Sequence, residues 1–379
     1  MTGVFYSCLI TLVYIYIGYP MAVFLASRVL HRDVRKEPCE PVVTILIAAY
    51  NEEKHIMTTI ENKLSLDYPH EKLEVIVVSD GSDDGTDDIV RSFCNMGVKL
   101  IRQEPRQGKT AALNLAVPEA SGEVIVFSDA NSIYEKDALR RLVENFADPE
   151  VGYVTGKMVY VNPDGTMIGD GCSAYMRYEN FLRNCETGVG SVVGVDGGID
   201  AVRRRLYCPM RADQLPDFVL PLMVVEQGFR VVYEPSALLR EEALKSSSDE
   251  YRMRVRVSLR ALWALWDMKK LFDPCRYGIF SMQLVSHKVL RYLGIVFLVF
   301  LYTANALLLR RSWLYNLTFF LQSLAILLAF SSLYREKRWR SAGILGIPYY
   351  FLLINIAAGR ALVKFLQGEK QVTWTPRKG

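Results

Sequence analysis

The 379-residue sequence has no Gly-x-x-x-x-Gly-Lys-[Ser/Thr] run and no Gly-x-Gly-x-x-Gly run. Neither a P-loop nor a dinucleotide fingerprint is therefore present to cradle phosphates. It also has no Cys-x-x-Cys. Its 7 cysteines, an odd number, are scattered from Cys8 to Cys275, which argues against a disulfide framework or a zinc site and suits a reducing cytosol. Charge of either sign is not in excess: the net charge of +4 carries no signature of nucleic acid, and no such partner is expected. Low-complexity runs and internal repeats are missing as well.

The most telling absence is local. Between Val4 and Ala26 there is no charged residue, only a run rich in Ile, Leu, Val and Tyr. That is long enough to span a hydrocarbon layer of ~30 Å at about 1.5 Å per residue. A cleaved signal peptide would carry a basic segment before a shorter apolar core. Here the first cation is Arg28, after the run, followed by Arg32, Arg35 and Lys36. The reading is an uncleaved anchor, with the N-terminus outside and the following chain in the cytosol by the positive-inside rule.

What is present fits that anchor. Hydrophobic residues make up 51% and the mean hydropathy is +0.12, high for a soluble protein. Three further apolar stretches, Val289–Leu309, Leu314–Tyr334 and Ala342–Phe365, read as spans. They are separated by Arg310-Arg311 and by the more basic linker Arg335 to Arg340. Counting crossings leaves the basic tail on the outside, against its charge, unless Pro348 marks a broken or re-entrant segment. The expected organisation is a transmembrane helix over 1–31, a cytosolic domain over 32–250, amphipathic interfacial helices over 251–288, about three transmembrane helices over 289–366, and a basic tail over 367–379.

Within the cytosolic part, Val42–Ala48 is a β-branched apolar run, and Lys54–Leu66 then has helical spacing. Val75–Ser79, Val98–Ile101 and Val124–Ser128 continue the alternation, with a helix around Ala111–Ala116. Strand, loop and helix in repetition predict an α/β domain with a doubly wound, mostly parallel sheet. Ligands bind such sheets outside the carboxyl ends of the strands. The polar clusters at 49–53, 80–86 and 129–131 should therefore converge on one cleft. In isolation, Asp80-Gly81-Ser82-Asp83-Asp84-Gly85 reads equally as a turn with a helix cap at Asp83 or Asp84. Three acidic strand ends in series point instead to a sugar nucleotide, whose base and ribose need acceptors and whose diphosphate needs a divalent cation.

Four segments in order resemble one family. They are Ile47-Ala48-Ala49-Tyr50-Asn51-Glu52-Glu53, Val77 through Thr86, Gly108-Lys109-Thr110-Ala111-Ala112-Leu113-Asn114, and Phe127-Ser128-Asp129-Ala130-Asn131. The stretch from Pro41 to Leu271 resembles the family 2 glycosyltransferases of GT-A fold, in the branch of cellulose, chitin and hyaluronan synthases. The implied fold is an α/β GT-A domain plus transmembrane α-helices. The implied localisation is a bacterial inner or plasma membrane, with the catalytic domain cytosolic.

The resemblance also implies roles. Glu52 and Asp80 would contact the base or ribose, with Ala49 in the same nucleotide-binding set, and Lys109 would approach the nucleotide. Ser79 stands where many relatives carry a first aspartate. Asp129 occupies the first position of the family's Asp-x-Asp, where Mg²⁺ or Mn²⁺ is held against the donor diphosphate, and Asn131 replaces the second aspartate with a neutral, weaker ligand. Asp217 falls on the aspartate that serves as general base, with Pro216 in place of a glutamate. At a helix start it would also complement the dipole. The glycine-rich run from Gly194 to Arg204 matches the segment lining the sugar pocket, which makes Asp196 a sugar-contact candidate; Asp200 reads as well as part of a strand connection.

Arg256 falls on the arginine of the family's Gln-x-x-Arg-Trp, while Met253 and Val257 replace the Gln and Trp. Arg252 or Arg260 could clamp a diphosphate from neighbouring turns. Trp263 and Trp266 could serve the acceptor, or, on this amphipathic helix, sit at the membrane interface beside Lys269 and Lys270. The expected activity is inverting transfer from a UDP-sugar to a hydroxyl of a polysaccharide or glycolipid acceptor at the bilayer, in cell-surface or extracellular polysaccharide synthesis. The alternatives are single addition to a lipid and a non-catalytic nucleotide-sugar-binding assembly partner.

Overall fold

The computed structural model describes residues 1–161, 167–242, 247–336 and 346–372. The chain forms two compact units. One comprises Ser27–Val159, Arg183–Glu241 and the C-terminal stretch from Gln371; the other comprises Met1–Ala26, Tyr160–Leu182 and Glu242–Lys370.

The first unit is built on an 8-stranded sheet. Its parallel part consists of β1 (Val43–Ala49), β2 (Leu73–Asp80), β3 (Val98–Gln103) and β4 (Val124–Asp129). β1 is buried at every position, as expected of a parallel strand covered on both faces, which reads as a continuous apolar run. Helices α2 (Ile56–Leu64), α3 (Thr86–Ser92) and α4 (Lys109–Ala116) follow β1, β2 and β3 in turn. α3 starts at Thr86 with Gly85 as its cap residue, while Asp84 accepts from the Thr86 N–H at 3.0 Å.

The remaining strands depart from the parallel alternation. They are β5 (Ile133–Tyr134), β6 (Val151–Val161), β7 (Ile199–Arg203) and β8 (Arg230–Glu242), with α5 (Ala138–Glu144) following β5. The order across the sheet is β3-β2-β1-β4-β7-β6-β8-β5. β4 pairs with β7, β6 with β7 and β5 with β8, all antiparallel. The register aligns the strand ends that matter: Ala49 faces Ser79, Ala48 faces Asp129, and Ser128 faces Ile199. Ala49, Asp80 and Asp129 thus end at one edge, and the turn that precedes β7 lies at that same edge.

The second unit is mostly apolar helix. α1 (Thr2–Leu30) runs 29 residues, ~43 Å at about 1.5 Å per residue. Ile10, Ile17, Met21 and Leu25 are exposed on it, a pattern suited to lipid and not to water. Phe5, Cys8 and Leu12 pack against Leu301, Ala304, Leu308 and Tyr315.

Further along are α8 (Ser247–Asp267), α9 (Ile279–Tyr292), α10 (Gly294–Leu307), α11 (Trp313–Glu336) and α12 (Gly346–Leu366). α6 (Met167–Val189) and α7 (Pro216–Glu226) precede them in the chain. Among the described residues, α1 and α12 are long and apolar enough to cross a membrane, and α9 with α10 form a third candidate bent by 58°.

The bent pair α9–α10 begins at Ile279, ahead of the apolar stretch read from Val289. Pro348 lies near the start of the described part of α12. Most of the basic linker, 337–340, and the tail from 373 lie outside the described residues, as do 342–345 at the start of the expected last span.

Candidate active site

The carboxyl edge of the parallel strands is stitched together by backbone-directed side chains. Asn51, in the left-handed region with φ of 54°, is of a type that tolerates it because its short amide bonds locally. Its N–H donates to the Ser82 hydroxyl at 3.1 Å, and its Oδ1 accepts from the Asp83 N–H at 3.0 Å. The Glu52 N–H donates to the Thr86 hydroxyl at 2.9 Å. The loop after β1, with Ala49 and Glu52, is thereby zipped to the turn after β2.

Asp80, the last residue of β2, is fully buried. Its carboxylate accepts from the Gln107 N–H at 2.9 Å and from the Gly108 N–H at 3.0 Å, with the Arg106 guanidinium at 3.5 Å. Asp80 therefore shapes the loop leading into α4. Arg106 from that loop lies over the Tyr50 ring, 3.4 Å from its centroid. Replacing Asp80 with Ala leaves two backbone donors and a guanidinium without this acceptor. We expect a loss of about 2–4 kcal/mol, read as a lowered unfolding midpoint in detergent.

Three of the residues picked out in the sequence come together around one ammonium. Lys109 opens α4, Asp129 closes β4, and Asp217 sits in the first turn of α7 behind Pro216. Proline at that first position is preorganised for a helix, and an acid in the first turn complements its dipole. Lys109 Nζ donates to Asp129 Oδ1 at 2.7 Å and lies 3.4 Å from Asp217 Oδ1. Burial opposes the ammonium, but the charges of Asp129 and then Asp217 outweigh it and hold its pKa above the ordinary lysine value. Asn131 directs its amide toward Glu241 at 3.5 Å.

Asp196 and Asp200 lie behind this group. Asp196 forms a buried ion pair with Arg183 at 2.5 Å and accepts from the Met158 N–H at 3.1 Å. Asp200 accepts from the Gly197 N–H at 2.9 Å. Gly197 has φ of +84°, and a Cβ built there would meet the Asp217 carboxylate at 2.7 Å. Asp217 thus rests directly on a turn that Asp200 holds.

Burial pushes the Asp200 carboxyl up to about 7; the Thr155 hydroxyl opposes this, and the charges of Asp217 and Asp196 add to it. A carboxyl raised from about 3.9 when unfolded favours the folded state fully below that value and loses this contribution as pH rises through about 7. The wild-type midpoint should therefore fall between pH 5 and 8, and Asp200→Asn should flatten that fall. Thermal unfolding across this range checks it; parallel curves would refute it.

The α8 residues lie in the helical unit. Arg252 is exposed beside Asp249 at 2.5 Å, and Arg260 is buried. Trp263 donates to the Glu369 carbonyl at 2.8 Å and packs edge-on against Phe365. Arg256 follows Arg252 by four residues and precedes Arg260 by four, so the three share one helix face.

Sequence reasoning missed Arg106 and two residues of α2, Thr59 and Lys63; the last pair left a trace, as polar residues at helical spacing with Ile56 and Ile60. Gly197 belongs to the glycine-rich run noted in the sequence, but its contact with Asp217 was not legible there.

A sheet parallel in one half and antiparallel in the other, with polar residues gathered at the carboxyl edge of its parallel strands, has the GT-A fold. Among solved structures, a mannosyltransferase from Pyrobaculum calidifontis in complex with GDP-Man and Mn2+ shares that fold. It has a TM-score of 0.71 and 24% identity, and the match covers 96% of this chain and 99% of that one.

Residues 44–197 match the model of Glycosyl transferase family 2. It is 27% identical over 244 residues to the poly-beta-1,6-N-acetyl-D-glucosamine synthase of Staphylococcus aureus (strain COL), a match over 62% of this chain and 59% of that protein. The chain thus spans under two thirds of the length of that relative. The Staphylococcus epidermidis protein of the same name is 25% identical over 366 residues, covering 89% of this chain and 87% of its own length.

Proposed function

We propose that this chain transfers a sugar from a UDP-sugar, with inversion, to a carbohydrate hydroxyl at a membrane, in the synthesis of a cell-surface or extracellular polysaccharide. The observation that carries this reading is Lys109 between Asp129 and Asp217. A cation beside two carboxylates supports such a transfer, in which the reading gives Asp129 to the leaving diphosphate and Asp217 to the acceptor. The relatives named as polysaccharide synthases support the acceptor class.

Asp217 takes the proton from the acceptor hydroxyl as its oxygen bonds to the anomeric carbon. The bond from that carbon to the β-phosphate oxygen breaks, and UDP leaves. A single displacement turns an α-linked donor into a β-linked product. Lys109 neutralises charge that builds on the departing phosphate.

The donor set at Asp129 and Asn131 fits a divalent cation only in company. Among the described residues no group of three carboxylate, imidazole or thiol ligands could hold an ion. One carboxylate and one amide oxygen leave the other positions to diphosphate oxygens, the usual arrangement for Mg²⁺, with Mn²⁺ the alternative. Such an ion would supply electrostatic stabilisation of the leaving group.

The same proposal gives Glu52 and Ala49 to the nucleoside and Asp196 to the sugar-side turn. It gives Arg256, with Arg252 and Arg260, to the diphosphate and Trp263 to the acceptor, on the strength of the family motif. It also holds the chain in a bilayer through α1 and the later apolar helices, with the sheet unit cytosolic.

Purified full-length protein in detergent, given a panel of UDP-sugars with Mg²⁺ or Mn²⁺, should release UDP and yield product whose size is read by gel or mass spectrometry. A polymer ladder supports polysaccharide synthesis, whereas products longer by one sugar only point to single addition. UDP binding with no transfer from any donor would overturn the enzymatic reading.

A further inference from the structure

The α2 helix buries one face made of Ile56, Thr59, Ile60 and Lys63, the i, i+3, i+4, i+7 spacing of a core-facing stripe. Two of those four residues are polar, and both point at one turn. The Thr59 hydroxyl donates to the Ala130 carbonyl at 2.6 Å, and Lys63 Nζ donates to the Ser132 carbonyl at 2.6 Å. Asn62 adds two bonds to the backbone of Tyr134, at 2.9 and 2.8 Å. The turn closes on itself where the Ser132 N–H donates to the Asp129 carbonyl at 3.2 Å. The carbonyls on either side of Asn131 are therefore both tied to α2.

Lys63 is fully buried. Its partners are the Ser132 carbonyl, the Asn62 amide oxygen at 3.0 Å and the face of the Tyr134 ring, 3.6 Å from its centroid. Among the described residues, none of its partners is a carboxylate. A buried cation without an ion pair is costly, and burial alone pushes its pKa well below the ordinary lysine value. An apolar side chain of similar length would serve the core better. What Lys63 has that such a residue lacks is a grip on Ser132. The Tyr134 hydroxyl carries the connection further: its one proton is shared between the Phe127 carbonyl at 3.0 Å and the Gly198 carbonyl at 2.8 Å, next to the glycine on which Asp217 rests.

We propose that Thr59 and Lys63 are positioning residues that clamp the Asp129–Asn131 turn in the geometry that receives the donor diphosphate and its cation. The assignment rests on the donor-site reading above. Neither residue touches substrate; each acts through the backbone that presents Asp129 and Asn131.

The test uses full-length protein in detergent with Thr59→Val, Thr59→Ser and Lys63→Met. Thr59→Val keeps the shape and removes the hydroxyl; Thr59→Ser keeps the hydroxyl. Hydrogen exchange of the 128–134 segment is read by mass spectrometry, binding of Mn²⁺ in the presence of UDP by electron paramagnetic resonance, and kinetics with the best UDP-sugar. We expect exchange in that segment to speed at least tenfold in Thr59→Val and Lys63→Met. The Mn²⁺ dissociation constant and the donor KM should rise at least fivefold while kcat changes less than twofold, and Thr59→Ser should behave as wild type.

Unchanged exchange overturns the clamp. So does faster exchange without a change in Mn²⁺ binding, or a Thr59→Ser variant that fails like Thr59→Val. Because exchange and Mn²⁺ binding need no turnover, a wild type that transfers no sugar would sink the enzymatic reading and still leave the clamp decided.

Discussion

Asp217→Asn should reduce sugar transfer by at least 10²–10⁴-fold, the usual range for loss of a general base, while UDP binding stays within about twofold, since nothing in the proposed nucleotide contacts is removed. Asparagine keeps the size and the helix-start position of the side chain but cannot take up the acceptor's proton. Lys109 retains its contact with Asp129 at 2.7 Å, so the donor side of the site stays assembled.

The alternative role for Asp217, complementing the helix dipole, is worth only about 0.3–1 kcal/mol. A purely structural aspartate would thus show a slightly lower unfolding midpoint and nearly normal kcat. Measuring kcat, UDP affinity and midpoint on one preparation separates the two roles. Substantial turnover by the variant would remove Asp217 from the base position.

Much of this site was legible because buried parallel strands announce themselves. β1, β2 and β4 are continuous apolar runs that stop at polar clusters, and their in-register pairing brings those clusters to one edge. The start of α7 around Asp217 followed instead from the resemblance, in which the matching aspartate opens a helix. The antiparallel half of the sheet was not legible: β5 is two residues long, and β6 carries Gly152 and Gly156 in its interior, which dilute any alternation.

The bend between Tyr292 and Gly294 left no signal in the sequence as loud as a proline, since glycine within an apolar run does not by itself mark a break. Lys63 illustrates a different limit. Its helical spacing showed a polar residue on a buried face, but its partner carbonyl lies 69 residues away, beyond what any local pattern reports. Asp80 carried the right residue type for a ligand contact, yet its burial and its bonds to the 107–108 backbone make it first a support for the loop.

Gly197→Ala should cost more activity than its effect on stability would explain. The residue has φ of +84°, a conformation that costs an L-residue with a Cβ roughly 1–2 kcal/mol. That strain alone would lower the midpoint by a few degrees. The added methyl also meets the Asp217 carboxylate at 2.7 Å, closer than carbon and oxygen tolerate, so the carboxylate must move. A shift of about 1 Å in a reacting group can cost ~10²-fold in rate.

Gly228 provides the control, because it has φ of +85° with no atom within 4 Å of a built Cβ. It lies just past the end of α7, where a left-handed glycine ends many helices. Gly228→Ala should therefore lower the midpoint by a similar amount and leave kcat near wild type, whereas Gly197→Ala should lose about 10²-fold in kcat with a smaller change in donor KM. Equal losses of activity in the two variants would mean that backbone strain, and not the seat of Asp217, sets the effect.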